Sequence, residues 1–466
     1  MQFGYLVFYA IATCLITIRA YKKKYNPIYC ALWTEFAVSA VFCVIVKVNQ
    51  VALLGNGYMQ SVWYDLSDTT LKAYILLIIC NFIAFEPFRE FDSGNHFLDF
   101  GNSPKMRNFF TMYSVIYLVL AAFFILTSIG TISSAMHTTD YRTLRTSLAN
   151  AENEQSAAVA SNALANICYK LCFQFKSLSI FVAFGSFKEK CNRILSTLLL
   201  IVTFFVVYIS NAVLAGRGSF LIFTFSCFLI GMCFFKYLSK ATRRKVIIGG
   251  TVILGFVLSY FFAVTISRVV VSGRGTMSYQ LFGNAAFYIG HGPIEFSKIT
   301  GSLDHFAYGR VIIARFISHY FGTNYSWPTI SSEIGYPSIG AVYNTYLGYL
   351  YTDFGSIGCI LYTSLYSYLV YRVMKKRPLN ISTMFLFGYY LHYYVTGNFV
   401  IGRMEYVRVV TTFVLYLIIR VIERFPTTKR FFTSKLVFGS RGRNSRAFNQ
   451  IIIQKRSIGG KIAEDR

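Results

Sequence analysis

The chain has 466 residues, 55% hydrophobic and 18% aromatic, with only 14% charged and a mean hydropathy of +0.50. That composition excludes a set of soluble globular domains, in which about a quarter of residues are charged, and indicates a polytopic membrane protein. The formal net charge of +26 falls in short basic flanks beside apolar runs, which is the positive-inside pattern and argues against nucleic acid as a partner.

Apolar runs long enough to cross ~30 Å of hydrocarbon occur, in chain order, at 3–20, 27–46, 70–86, 108–130, 160–185, 194–213, 219–235, 246–267, 340–371, 379–396 and 405–422. The first is expected to remain as a span, because it lacks a basic leader and runs into "YKKKY" rather than a small-residue cleavage site. With alternating spans and an outside amino terminus, "RAYKKKY", "FKEKCNR", "KYLSKATRRK", "YRVMKKR" and the basic tail all fall on one side. The carboxyl terminus is then cytoplasmic.

The chain divides accordingly. Residues 1–267 hold the first eight transmembrane helices, 268–339 a large outer loop with short interfacial helices, 340–422 the last three helices, and 423–466 a basic cytoplasmic tail. The ten cysteines lie in or beside the spans and not in the outer loops, so no disulfide framework is expected.

Long connections in a compact membrane protein are where function concentrates. The 268–339 segment holds His291, His305 and His319 with Arg268, Arg274, Arg310, Arg315, Glu295, Asp304 and Glu333. Within it "FAYGRVIIARFISHYFG" predicts a short amphipathic helix lying at the interface, with Arg315 and His319 four residues apart on one face.

Depth groups the outer charges. At 1.5 Å per helical residue, Arg217 stands about 28 Å beyond Lys236, Asp353 about 28 Å beyond Arg372, and Arg403 about 31 Å beyond Arg424, with Arg268 slightly farther out. These residues come from spans well apart in sequence and reach one outer layer. Arginine matches phosphate oxygens in pairs and stays protonated, so this layer suits a lipid-linked phosphate or diphosphate. Snorkelling to headgroups is the other reading of each arginine taken singly, although it does not call for the glycines on both sides of Arg217. Inside the spans, Glu35, Lys170 and Lys176 are read as a structural ion pair or as a proton relay. "YTDFG" at 351–355 lacks every other part of a kinase, and no HExxH, Walker A or spaced His/Cys set is present, so neither a metal nor a cofactor is expected.

The Arg-Gly before a span ("AGRGSFLIF"), the large late loop and the following stretch "AVYNTYLGYLYTDFGSIGCILYTSLYSYLVYRV" resemble the Wzy-type oligosaccharide repeat-unit polymerases and related O-antigen ligases. Tyr343, Asn344, Leu347, Asp353, Gly355 and Gly358 stand at places comparable to that superfamily's pattern. Tyr343 occupies the position where ligases carry histidine, which favours polymerase over ligase.

The resemblance implies an all-α, GT-C-like fold of about eleven transmembrane helices in the bacterial inner membrane. It also implies transfer of a glycan from a polyprenyl diphosphate carrier onto a second lipid-linked repeat unit at the periplasmic face, with a chain-length regulator as protein partner. In that chemistry Arg217, Arg268 and Arg403 would hold the diphosphate, with Arg274 and Arg310 as further choices. Asp353 would orient an arginine or the acceptor, and Glu333, His291 and His319 are candidate bases. Tyr325, Trp327, Tyr343 and Asn344 are placed to meet sugar, aromatic residues at an interface equally forming a belt. A lipid-linked oligosaccharide flippase or another secondary transporter, and a glycosyltransferase using a lipid monophosphate, are the competing classes. Asp65 and Asp68 of the first outer loop speak for the last of these.

Overall fold

The computed structural model describes residues 2–48, 69–89, 104–130, 133, 163–188, 191–213, 218–235, 237–272, 277–312, 327–335, 345–375, 380–397 and 404–424. Among these residues all regular structure is helical. The helices are α1 (Gln2–Lys22), α2 (Pro27–Val48), α3 (Leu71–Arg89), α4 (Pro104–Thr127), α5 (Ala163–Lys188), α6 (Arg193–Val213), α7 (Gly218–Phe235), α8 (Lys240–Ser272), α9 (Met277–Ser302), α10 (Trp327–Glu333), α11 (Gly348–Met374), α12 (Ile381–Gly397) and α13 (Met404–Arg424). A helix lies over every one of the apolar runs. Six of them, α1 to α6, are long and apolar enough to cross a membrane.

Sequence chemistry sets the boundaries. Asn26 takes the Ile28 N–H on its Oδ1 at 2.8 Å, capping α2, and Pro27 follows at the first helical position, where its missing N–H costs nothing. The Asn26 N–H in turn donates to the Arg89 carbonyl at 3.4 Å, so the α1–α2 turn meets the basic end of α3.

One element departs from expectation. The segment assigned to an outer loop with short helices contains α9, a helix of 26 residues packed along α2. Its contact depends on Gly290: a Cβ there would lie 2.6 Å from the Phe42 carbonyl carbon. Pro293, four residues after Ile289, has no N–H to give the Ile289 carbonyl, and Ser39 of α2 supplies the donor at 2.7 Å. The Cys43 thiol donates to the neighbouring Gly290 carbonyl at 2.6 Å.

The same device recurs at Pro87 in α3. The Ile83 carbonyl, four residues earlier, accepts from Ser367 of α11 at 2.6 Å, and the Ala84 carbonyl accepts from Tyr390 of α12 at 2.7 Å. Two prolines inside helices thus turn backbone acceptors into interhelical attachment points.

The interior is aromatic. Trp33 lies among Tyr29, Phe82 and Phe85, and Tyr346, Tyr366, Tyr390, Tyr393 and Tyr394 meet edge to face between α11 and α12. The outward faces are apolar too: Ile357, Leu361 and Leu365 on α11, and Val410, Val414 and Leu417 on α13, are exposed. Contiguous exposed apolar faces of this kind suit a lipid surround rather than water. All ten cysteines are free thiols.

Candidate functional site

The start of α11 organises a cluster of the residues selected from sequence. Gly355 has φ +65 and ψ −161 inside the helix, a break that a β-carbon would oppose, and Phe306 fills the space where that carbon would stand, 2.7 Å away at its Cζ. The chain around Phe306 docks along the break: the Ala307 N–H donates to the Thr352 carbonyl at 2.9 Å and the Tyr308 N–H to the Asp353 carbonyl at 3.0 Å.

Asp353 completes the attachment. It is fully buried and accepts the Val311 N–H on one carboxylate oxygen at 3.0 Å and the Ile312 N–H on the other at 2.9 Å. These are among the first N–H groups of a helical turn that begins at Arg310 and have no partner within it, so the carboxylate caps that turn. Arg310 is thereby fixed. Its guanidinium reaches Glu333 at the end of α10, 2.6 Å away, in a pair whose two side chains are 41% and 45% exposed.

Three of the residues selected from sequence, Asp353, Arg310 and Glu333, therefore meet in one place. His291 lies elsewhere, on α9, where residues 290–299 are buried on every face. Glu295 and Lys298 share that run, four and seven residues on, and burial raises the Glu295 carboxyl to about 7 against the pull of Lys298. Arg268 is on α8 and Trp327 opens α10, their side chains outside the described residues. Arg217, Arg274, His319, Tyr343, Asn344 and Arg403 also lie outside the described residues.

The residues just after Tyr343 and Asn344 are tied to three helices. Tyr346 donates its hydroxyl to Asn81 of α3 at 2.7 Å and its N–H to the Gly397 carbonyl of α12 at 2.8 Å, and its own carbonyl accepts from Tyr406 of α13 at 2.7 Å. The stretch that carries the family resemblance is thus a junction of α3, α11, α12 and α13.

Sequence reading missed a second group of charges. Lys176 of α5 holds its ammonium 3.6 Å from the centre of the Phe173 ring, and the Arg408 guanidinium of α13 stands 5.3 Å from the same ring. Gln174, Ser177, Tyr389 and His392 line the cavity with them. Lys176 was visible as a charge inside an apolar run. Arg408, five residues beyond Arg403, passed as one cation among many, though its distance from either end of the last span was the available signal.

The fold and these charges define a helical membrane protein with one polar cluster at the α11 break and another within the bundle. No family model matches the chain, and neither a curated protein nor a solved structure matches it.

Proposed function

We propose that this protein polymerises polyprenyl-diphosphate-linked oligosaccharide repeat units at the outer face of a bacterial cytoplasmic membrane, through eleven spans with the amino terminus outside. The observation that carries the reading is the attachment of Arg310 beside Glu333 through Asp353, which joins three distant stretches of chain at the end of α11 assigned to the outer boundary. The exposed apolar stripes of α11 and α13 support counting both among the spans.

In this reaction an acceptor hydroxyl oxygen bonds to the donor's anomeric carbon as the bond from that carbon to the diphosphate oxygen breaks. The hydroxyl proton passes to a base, for which Glu333 is better placed than the fully buried His291. Negative charge grows on the leaving diphosphate at the depth of Arg217, Arg268 and Arg403, and preorganised guanidinium groups stabilise it without requiring a metal ion.

The test is deletion of the gene in its host with surface polysaccharide resolved on a gel. Loss of the ladder with single-repeat material retained is the expected result. Complete loss of surface glycan points instead to export, the second reading, which the charges of Lys176 and Arg408 inside the bundle favour. Arg217→Lys keeps the charge and removes the planar fork, so unchanged ladder length in that variant would withdraw the diphosphate role from Arg217.

A further inference from the structure

Helix α1 carries a face of exposed apolar side chains, Phe8, Ile11, Leu15 and Ile18, at the alternating three- and four-residue spacing of a single helical stripe. Lys22 stands four residues after Ile18 and continues that stripe at the end of the helix. Arg19, Lys23 and Lys24 are exposed beside it, so the cations of residues 19–24 gather where the apolar face stops. Among the described residues none of these four cations is in an ion pair. The nearby Arg89 is committed, to Glu86 at 3.0 Å and to the Tyr25 ring at 5.8 Å.

The turn that holds these cations is fixed. The Tyr25 N–H donates to the Ala20 carbonyl at 3.2 Å and the Lys24 N–H to the Tyr21 carbonyl at 3.0 Å, the paired bonds of a Schellman motif that closes α1. That motif puts Lys24 in the left-handed region at φ 53, where glycine is the usual residue because it has no β-carbon to oppose the conformation. Thr34 gives its hydroxyl hydrogen to the Cys30 carbonyl at 2.8 Å and so accepts from the Tyr21 hydroxyl at 3.2 Å, which ties the last turn of α1 to α2. The negative end of the α1 dipole favours cations in that last turn, which accounts for Lys22 and Lys23. It gives no reason for a lysine in the glycine position after them.

We infer that the α1–α2 turn binds the headgroup of an anionic glycerophospholipid whose acyl chains lie along the stripe from Phe8 to Ile18. The occupant follows from the continuity of the two surfaces: such a lipid presents hydrocarbon and net negative charge at one boundary, whereas a soluble anion would leave the stripe uncovered. Arg19 offers a planar fork to a pair of phosphate oxygens, and the lysines add point charges on flexible stems. The site stands independently of the polymerase reading. It uses none of the residues assigned to glycosyl transfer and holds for either orientation of the chain in the membrane.

The experiment uses the full-length chain carrying Ile18→Trp as a reporter, in phosphatidylcholine nanodiscs with a fixed fraction of brominated phosphatidylglycerol or of brominated phosphatidylcholine. Bromine on the acyl chains quenches tryptophan fluorescence on contact, and the parent chain gives the background of the three native tryptophans. Brominated phosphatidylglycerol should quench the reporter at a mole fraction at least about threefold lower than brominated phosphatidylcholine. Salt at about 1 M, which shortens the screening length to ~3 Å, should remove most of that preference. Combining Lys22→Gln, Lys23→Gln and Lys24→Gly should remove it too, while Arg244→Gln, which deletes an exposed cation near the start of α8, should retain it. Equal quenching by the two lipids overturns the assignment and leaves the cations as topology signals alone. A preference that survives in the combined variant, or that Arg244→Gln removes as fully, also overturns it. Should the combined variant fail to fold, Lys24→Gly decides, since glycine suits that backbone better than lysine: an undiminished preference there overturns the site. No glycan product is measured, so failure here leaves the polymerase reading untouched, and an unaltered ladder in the deletion strain leaves this site untouched.

Discussion

Asp353 shows how one side chain can be placed by backbone rather than by charge. Its two oxygens take separate N–H groups, from Val311 and Ile312, in a site closed to solvent. Asn in its place offers only one accepting oxygen, so Asp353→Asn should leave one of those N–H groups without its partner and lower stability by about 1–3 kcal/mol. Thermal unfolding in micelles checks this, and a variant as stable as wild type would remove Asp353 from its capping role. Glu295 makes a different forecast. It lies on α9, between the eighth and ninth predicted spans, and its carboxyl is raised to about 7, chiefly by burial. An acid with a raised folded-state pKa keeps its proton where the unfolded chain has released it, so its contribution is fully present below about pH 4.5 and is lost as pH rises to about 7. Stability should therefore fall across that window, by at most about 3 kcal/mol, and level off above it. Glu295→Gln should flatten the profile, and a slope unchanged in that variant would assign the titration to another group.

Helix contacts in this protein are written partly in proline. Pro293 and Pro87 each withhold an N–H from the carbonyl four residues earlier, and Ser39 and Ser367 from other helices take up Ile289 and Ile83. If that is the origin of the contact, Ser39→Ala should cost about 1–3 kcal/mol in the wild type, where it strands a buried acceptor. It should cost much less beside Pro293→Ala, which restores an N–H at position 293 for Ile289. A double-mutant cycle measures the difference, and additive effects would reject the coupling. The elements divide by how much of this was readable. The apolar runs at 3–20, 27–46 and 108–130 declared α1, α2 and α4 through near-continuous hydrophobicity, with Arg19 at the end of the first and Glu35 within the second as their charges. By contrast α9 carries His291, Pro293, Glu295 and Lys298, which interrupt any apolar count, and its burial arises from a glycine against α2 and donors on α2, none of it local. The same reason hid the cavity: Lys176 was legible as a charge in a span, but its nearness to Arg408 depends on which helices become neighbours.

At the scale of the whole chain, the described structure gathers basic groups at common ends of the helices. Arg89 lies over Tyr25 beside the lysines of the α1–α2 turn, and Lys188 lies over Tyr237 at the α7–α8 turn, so basic flanks far apart in sequence sit in matched turns. Arg310 and Glu333, by contrast, gather at the start of α11, whose far end carries Arg372. A membrane placed across the apolar stripes of α11 and α13 separates these two sets, and in the proposed topology the positive-inside bias puts the basic turns on the cytoplasmic side. Ser239, in the α7–α8 turn, and His305, in the segment docked on α11, are both exposed and lie on opposite sides in this arrangement. Single cysteines at the two positions, read against the background of the ten native thiols, give a direct measurement. In intact cells with a permeable outer envelope, a membrane-impermeant maleimide should label His305→Cys well above the parent protein. Ser239→Cys should rise above it only after the membrane is broken. Labelling of Ser239→Cys in intact cells would invert the topology, and with it the outer position of the Arg310–Glu333 cluster on which the glycosyl-transfer proposal depends.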